Sequence, residues 1–147
     1  MTVPEEVLVH LTEFNRWKSS AREGADYDLL DYVASRATPD LLFGFAALFS
    51  PSLVLHEGDY FLASHFSEKL YEEWKARLPD IQEVQKVMNH IHISTLFQDQ
   101  EVPDLIAQYA AKTIQSIWST VLSERHLVAE AYGDGLSDAQ VTFFRRA

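Results

Sequence analysis

The chain has 147 residues, of which 47% are hydrophobic and 23% are charged, a composition typical of a globular protein with one core. Its 12 basic and 22 acidic residues give a formal net charge of -10, which opposes binding to nucleic acid and to anionic membranes. The absence of cysteine excludes disulfides and thiolate-ligated metal sites, and it fits a reducing cytosol. The first residues lack the pattern of a signal peptide, and no apolar run approaches the ~20 residues that span a bilayer. We therefore expect a single cytoplasmic domain over residues 1–147.

Three helices are predicted in the first third of the chain. A proline and two glutamates suit the start of a helix that is expected to run from about 4 to 22. Asp26 and Asp28 open a second, short helix. The third, from Leu41 to Phe49, follows a Thr-Pro pair that suits a helix start. Because this third helix is apolar all round, we expect it to be buried on most sides.

A β-hairpin and two further helices are predicted next. Two short apolar runs, Leu53–Leu55 and Tyr60–Leu62, flank a polar turn that contains a glycine, a pattern typical of a hairpin. Ser67 can cap the helix that follows, and Pro79 interrupts it before another begins near Asp80. That helix leads into the segment that contains two closely spaced histidines.

The last third of the chain combines a long helix with two strands. The helix starts near Pro103 and carries a broad apolar stripe, so it is expected to organise the core. Beyond it, Leu127–Tyr132 and Gln140–Phe144 are interpreted as strands, although the helix could instead continue through the first segment. The predicted class is α+β and helix-dominated. It has five to six helices around one long central helix, and a small antiparallel sheet from hairpins near 53–62 and 127–144.

Asn89-His90-Ile91-His92 is the densest cluster of chemistry in the sequence, because imidazoles are common metal ligands and proton shuttles. If residues 80–93 are helical, His92 lies on the apolar face with His90 about 160 to 200° away, so the two could not share one metal. If the chain is extended from about 89, both side chains point the same way and a shared site is possible. The preferred interpretation is structural. In this interpretation His92 is partly buried and hydrogen-bonded to the backbone, His90 is exposed to solvent, and Asn89 helps to end the helix.

Other polar side chains could join a metal site that uses no thiolate. The candidate cluster consists of His56, Glu57, His65, Asn89, His90 and His92. The sequence does not show that these side chains converge, and a polar hairpin tip is the favoured interpretation of His56 and Glu57. The sequence has no His-Glu-x-x-His helix, phosphate-binding glycine loop or nucleophile elbow. We therefore predict no cofactor and no metal, with His90 and His92 as the candidate ligands should a metal bind.

Four short motifs carry a resemblance to other sequences. They read Leu-Phe-Ser-Pro-Ser-Leu-Val, Gly-Asp-Tyr-Phe-Leu, Tyr-Glu-Glu-Trp and Asn-His-Ile-His. On these motifs, the stretch from Phe43 to Phe97 resembles a family of small, uncharacterised bacterial proteins. The resemblance implies a bacterial origin and a conventional cytosolic domain, and it carries over no activity, cofactor or functional residue.

Small size, acidity and the lack of a catalytic signature favour a non-enzymatic interaction protein of the immunity, antitoxin or adaptor kind. Its partner would be a protein, preferably a basic one, because complementary charge speeds encounter. The alternative is a small enzyme or metal-binding protein that uses His90 or His92 with His56, Glu57 or His65. Nucleic-acid binding is not expected at this net charge. The oligomeric state is left open.

Overall fold

The structure, a computed structural model, describes residues 2–22, 25–98 and 100–146. These residues form eight α-helices and two small antiparallel sheets, so the chain is α+β and helix-dominated, as predicted. Their contacts divide the chain into two compact units, one up to Phe45 and one from Ala46 onwards. The expected single domain over 1–147 stays a prediction. Among the described residues, no helix combines the length and the apolarity that crossing a membrane requires.

The first unit begins with two short helices, α1 (Glu5–Leu8) and α2 (Thr12–Ser20). The prediction of one helix from about 4 to 22 is therefore wrong. The side chain of Asn15 donates a hydrogen bond to the Leu8 carbonyl at 2.9 Å. The same carbonyl accepts from the Leu11 N–H at 3.1 Å, so a backbone turn and the Asn15 side chain together close the end of α1.

The next two helices, α3 (Leu29–Arg36) and α4 (Pro39–Phe49), confirm the predicted start signals. The carboxylate of Asp28 accepts hydrogen bonds from the N–H groups of the first turn of α3, and the carboxylate of Asp31 accepts one from the N–H of Asp28. Thr38 caps α4 through its hydroxyl. Local capping chemistry therefore sets both helix starts.

The burial predicted for α4 is wrong. Four of its large side chains are more than half exposed, namely Leu41 (52%), Leu42 (60%), Phe43 (71%) and Phe45 (53%). Aromatic contacts join α2 to α3, with the rings of Phe14 and Trp17 at 5.8 and 5.4 Å from that of Tyr32. Folded proteins expose apolar as well as polar surface, so an apolar sequence does not by itself make a helix buried.

The second unit contains the predicted hairpin, formed by β1 (Leu53–His56) and β2 (Asp59–Leu62). Its two turn residues, Glu57 and Gly58, have φ angles of +48° and +91°. Positive φ at both positions is the pattern of a type I′ turn, whose twist matches that of the strands. The hairpin forms a two-stranded sheet of its own.

Four short elements follow the hairpin: α5 (Glu68–Lys75), α6 (Ile81–Met88), β3 (Ile91–His92) and α7 (Ile93–Leu96). Ser67 and Asp80 accept hydrogen bonds from the first turns of α5 and α6, which confirms both predicted starts. Helix α6, which Asp80 caps at its N-terminus, ends at Met88. The two histidines therefore lie beyond it.

The long helix α8 (Asp104–Val121) leads through a 3₁₀ turn into β4 (Leu127–Tyr132) and β5 (Gln140–Arg145). Both predicted strands are confirmed. A helix continuing to Tyr132 is excluded, because His126 adopts a left-handed conformation (φ 57°, ψ 32°) that ends the helical run. The second sheet has the order β3-β5-β4 and packs its apolar face on α8, with Trp118 and Phe143 in edge-to-face contact.

Three amide side chains on one side of α6 and its C-cap bind strand backbones. They are Gln82, Gln85 and Asn89, which we call the amide seam. Gln85 is fully buried; its amide donates to the Tyr60 carbonyl in β2 at 3.2 Å and accepts from the Arg145 N–H in β5 at 3.0 Å. Gln82 donates to the Arg145 carbonyl at 3.2 Å. The seam thus connects the two sheets through side chains.

Candidate functional site

Asn89, one of the predicted site residues, is fully buried and structural. Its Oδ1 accepts from the Leu62 N–H at 2.9 Å, and its Nδ2 donates to the carbonyls of Tyr60 and Phe143, each at 3.1 Å. Asn89 ends α6, as predicted, while tying β2 to β5. The chain leaves this anchor in an extended conformation, which positions the histidines.

His90 and His92 lie on the same side of this extended segment and form what we call the histidine pair. Their Nε2 atoms are 3.1 Å apart, and their ring planes meet at 82°. His92 is exposed, whereas His90 is half-buried with its Nδ1 against the Val87 carbonyl. The preferred sequence interpretation, with a core-facing His92 and a solvated His90 on opposite sides of a helix, is wrong. Because α6 ends at Met88, the period of a strand replaces that of a helix.

The hydrogen bond of His90 to the backbone fixes its tautomer. A carbonyl oxygen accepts but does not donate, so Nδ1 of His90 carries the proton. The Nε2 of the same ring then presents a lone pair towards Nε2 of His92. The pair can share a proton between the two Nε2 atoms, or direct both lone pairs at one electrophile.

The histidine pair belongs to the polar face of the three-stranded sheet. His92 is in register with Gln140, and Gln140 is in register with Tyr132, so their side chains share a face. This face and α6 line a cavity of about 430 Å³ that is open to solvent. The side chains of Glu83 and Lys86 line it from the helix.

The charges around this cavity are paired. The ammonium of Lys86 lies 2.9 Å from the Glu83 carboxylate, and this hydrogen bond raises the pKa of Lys86. The hydroxyl of Tyr132 donates to Glu130, and burial together with this carboxylate raises the pKa of Tyr132. Tyr132 therefore remains a neutral phenol at physiological pH. The two carboxylates, Glu83 and Glu130, outnumber the one ammonium of Lys86, so the charge near this cavity favours a bound cation over an anion.

A second group of ligand-type atoms lies at the tip of the first hairpin. One ligand atom from each of His56, Glu57 and Glu72 lies within 4.8 Å of the other two, and we call these residues the hairpin-tip group. The Oε2 atom of Glu57 accepts hydrogen bonds from Lys75 at 2.6 Å and from Tyr71 at 2.8 Å. These bonds lower the pKa of Glu57. The carboxylate of Glu57 is therefore already paired with an ammonium.

The predicted cluster of six residues is thus divided. Two of its members belong to the histidine pair, two to the hairpin-tip group, and Asn89 is buried in the amide seam. His65 is exposed in the turn after β2 and belongs to neither group in the part of the chain that the structure describes.

Comparison with known proteins gives no family. No protein-family model, curated protein or solved structure matches the chain. Its function is therefore inferred from its own residues.

Sequence reasoning missed several residues of the polar sheet face. Glu130 and Tyr132 alternate with alanines in β4, and Gln140 and Thr142 flank a buried Val141 in β5. This period of two was a usable signal, because it places all four polar side chains on one face of the hairpin. Glu72 of the hairpin-tip group gave no comparable signal, since Glu73 beside it carries the same carboxylate.

The first unit presents a different kind of surface. Besides the four exposed side chains of α4, Leu30 and Val33 of α3 are 73% and 52% exposed. We call these six residues the apolar helix surface. Asp31 on α3 and Asp40 on α4 add negative charge to the same two helices. Sequence reasoning identified the apolar helix and misjudged its environment.

Proposed function

We propose that the chain is a non-enzymatic, acidic protein-interaction protein of the immunity, antitoxin or adaptor type, acting in the bacterial cytosol. The apolar helix surface is the observation that carries this proposal. Large apolar side chains grouped on consecutive helices and open to water are typical of surfaces that a partner covers.

The energetic balance indicates what the partner must add. Covering six such side chains contributes roughly 6–12 kcal/mol, from about 1–2 kcal/mol for each half to three-quarters exposed residue. Association itself costs about 4–15 kcal/mol. The apolar contacts alone therefore barely offset the cost of association, and a stable complex needs polar complementarity as well.

Charge selects the class of partner. The chain has a net charge of -10, and the helices that carry the apolar surface bear two carboxylates, Asp31 and Asp40, against one guanidinium, Arg36. A protein whose apolar face is rimmed by lysine and arginine complements this surface. A second copy of the chain would carry the same charge and be repelled, and nucleic acid and anionic membranes are opposed for the same reason.

The test replaces Leu42 and Phe43 by serine and compares this variant with Leu55→Ser. Leu55 is a matched control because it is 59% exposed and lies on β1, outside the apolar helix surface. We expect the wild-type chain, isolated from its native cells, to retain a stoichiometric basic protein. The purified complex should weaken with added salt, disappear in the double variant and persist in the control.

Two results would contradict the proposal. One is a partner that binds the double variant as well as it binds the wild type. The other is a wild-type chain that forms a homodimer by light scattering and becomes monomeric in the double variant, since a second copy would then be the occupant. Circular dichroism of each variant verifies that the fold is retained.

A further inference from the structure

We propose that the histidine pair binds one late first-row divalent metal ion, with Nε2 of His90 and Nε2 of His92 as its two protein ligands. Water or a small ligand would fill the remaining positions. The proposal is independent of the interaction function, because it concerns the polar sheet face of the second unit.

The separation of the two nitrogens fits a shared ion. Metal–nitrogen bonds of about 2.0–2.1 Å at angles of about 90–110° place two ligand nitrogens roughly 2.9–3.4 Å apart. The two Nε2 atoms are 3.1 Å apart. An ion can therefore replace a proton shared between the rings without a change in the path of β3.

The surroundings of His90 are those of a metal ligand. Histidine ligands commonly donate their other ring N–H to a carbonyl or a carboxylate, which fixes the tautomer and the ring orientation. The Val87 carbonyl fulfils this role for Nδ1 of His90. Val87 lies in the last turn of α6, which the buried Asn89 anchors to both sheets. The lone pair of Nε2 is thus oriented before any ion arrives.

Ligand type and access indicate the kind of metal. Two imidazoles without thiolates suit copper, nickel and zinc, and the Irving–Williams order predicts the tightest binding for Cu²⁺. His92 is exposed and the adjoining cavity of about 430 Å³ is open, so the ion would keep accessible positions. Glu83 and Glu130 together outweigh the positive charge of Lys86, which favours a cation.

The hairpin-tip group is the weaker candidate. It offers three ligand atoms within 4.8 Å, but Lys75 binds the Glu57 carboxylate at 2.6 Å. A metal ion bound through Oε2 of Glu57 would have to compete with this ammonium and with the Tyr71 hydroxyl. No ammonium contacts the ring nitrogens of the histidine pair among the described ion pairs and hydrogen bonds.

The experiment titrates the full-length chain, purified without an affinity tag, with Cu²⁺ and Zn²⁺ by calorimetry. We expect one Cu²⁺ per chain, bound more tightly than Zn²⁺, with nitrogen hyperfine structure in its electron paramagnetic resonance spectrum. His92→Gln and His90→Gln should each weaken binding by about 10-fold or more. His65→Gln and His56→Gln should leave it unchanged, since one removes an exposed histidine and the other a hairpin-tip ligand.

Several results would overturn the proposal. They are the absence of stoichiometric binding, an affinity that survives His92→Gln, and an equal loss in His65→Gln or His56→Gln. The exposed position of His92 makes His92→Gln a safe variant, so a folding defect in His90→Gln would leave the test decisive. Because protons compete with the metal for imidazole nitrogen, affinity must also fall as the pH is lowered.

Discussion

Replacing Asn89 by alanine should destabilise the protein strongly. The substitution removes one acceptor and two donors from a position that is 0% exposed. The Leu62 N–H and the Phe143 carbonyl each lose the bond that Asn89 supplies, whereas the Tyr60 carbonyl keeps its bond from Gln85 at 3.2 Å. A buried polar group left without its partner costs about 1–3 kcal/mol, so the two together predict a loss of about 2–6 kcal/mol. This is a large fraction of the stability of a typical domain.

Urea unfolding followed by tryptophan fluorescence measures this loss. The matched control is Gln82→Ala, which removes a single exposed bond of the same seam and should cost about 0.5–1.5 kcal/mol. The reasoning would be refuted if Asn89→Ala unfolded within ~0.5 kcal/mol of the wild type, or cost no more than the control. Asn89→Asp adds a second comparison, because it keeps the acceptor for Leu62 and loses both donors.

Two further predictions concern turns. The pKa of Glu57 is lowered in the folded state from an ordinary value of 4.5, so its stabilising effect is present above that pH and is lost as the pH falls below it. Glu57→Gln should therefore reduce stability at neutral pH and lose its effect as the pH falls through the lowered pKa of Glu57; an equal effect at neutral and at strongly acidic pH in urea unfolding would exclude this linkage. Gly133 has a φ of +88°, and an added Cβ would overlap the backbone of Asp138. Gly133→Ala should cost about 1–3 kcal/mol by thermal unfolding. Gly44→Ala, in open space on α4, should be neutral or stabilising, and equal losses at the two glycines would contradict this explanation.

Helix starts and the first hairpin could be predicted because their causes are local. Asp28, Ser67 and Asp80 each cap a helix within three residues of their own position. The turn at Glu57 and Gly58 is likewise set by backbone preferences inside the hairpin. Such signals lie within a few consecutive residues and need no knowledge of the rest of the fold.

The histidine pair could not be predicted because its geometry depends on distant contacts. The helical period of apolar residues continues to Ile91, whereas the helix ends at Met88. The bonds that hold the intervening Asn89 reach backbone groups 27, 29 and 54 residues away. No pattern near residue 89 shows that these groups will be there.

The error at α4 has a different origin. Apolar residues on every side of a helix predict that the helix is buried, yet folded proteins also expose apolar side chains. Phe43 illustrates this, since it is 71% exposed while lying between leucine and glycine in an uncharged run. Composition identifies such a helix. It does not show whether other parts of the same chain or a partner protein bury its side chains.

The amide seam also has a consequence for colloidal behaviour. A strand with unpaired backbone groups is an edge on which another chain can add a strand, and this is a common route to aggregation. Gln85 and Asn89 bind the backbone of β2 at Tyr60 and that of β5 at Phe143 and Arg145, where β5 extends beyond its pairing with β3. Each buried amide therefore closes parts of two edges at once. Loss of either one would open both sheets to strand addition, so the variants that unfold most easily are also the ones expected to polymerise.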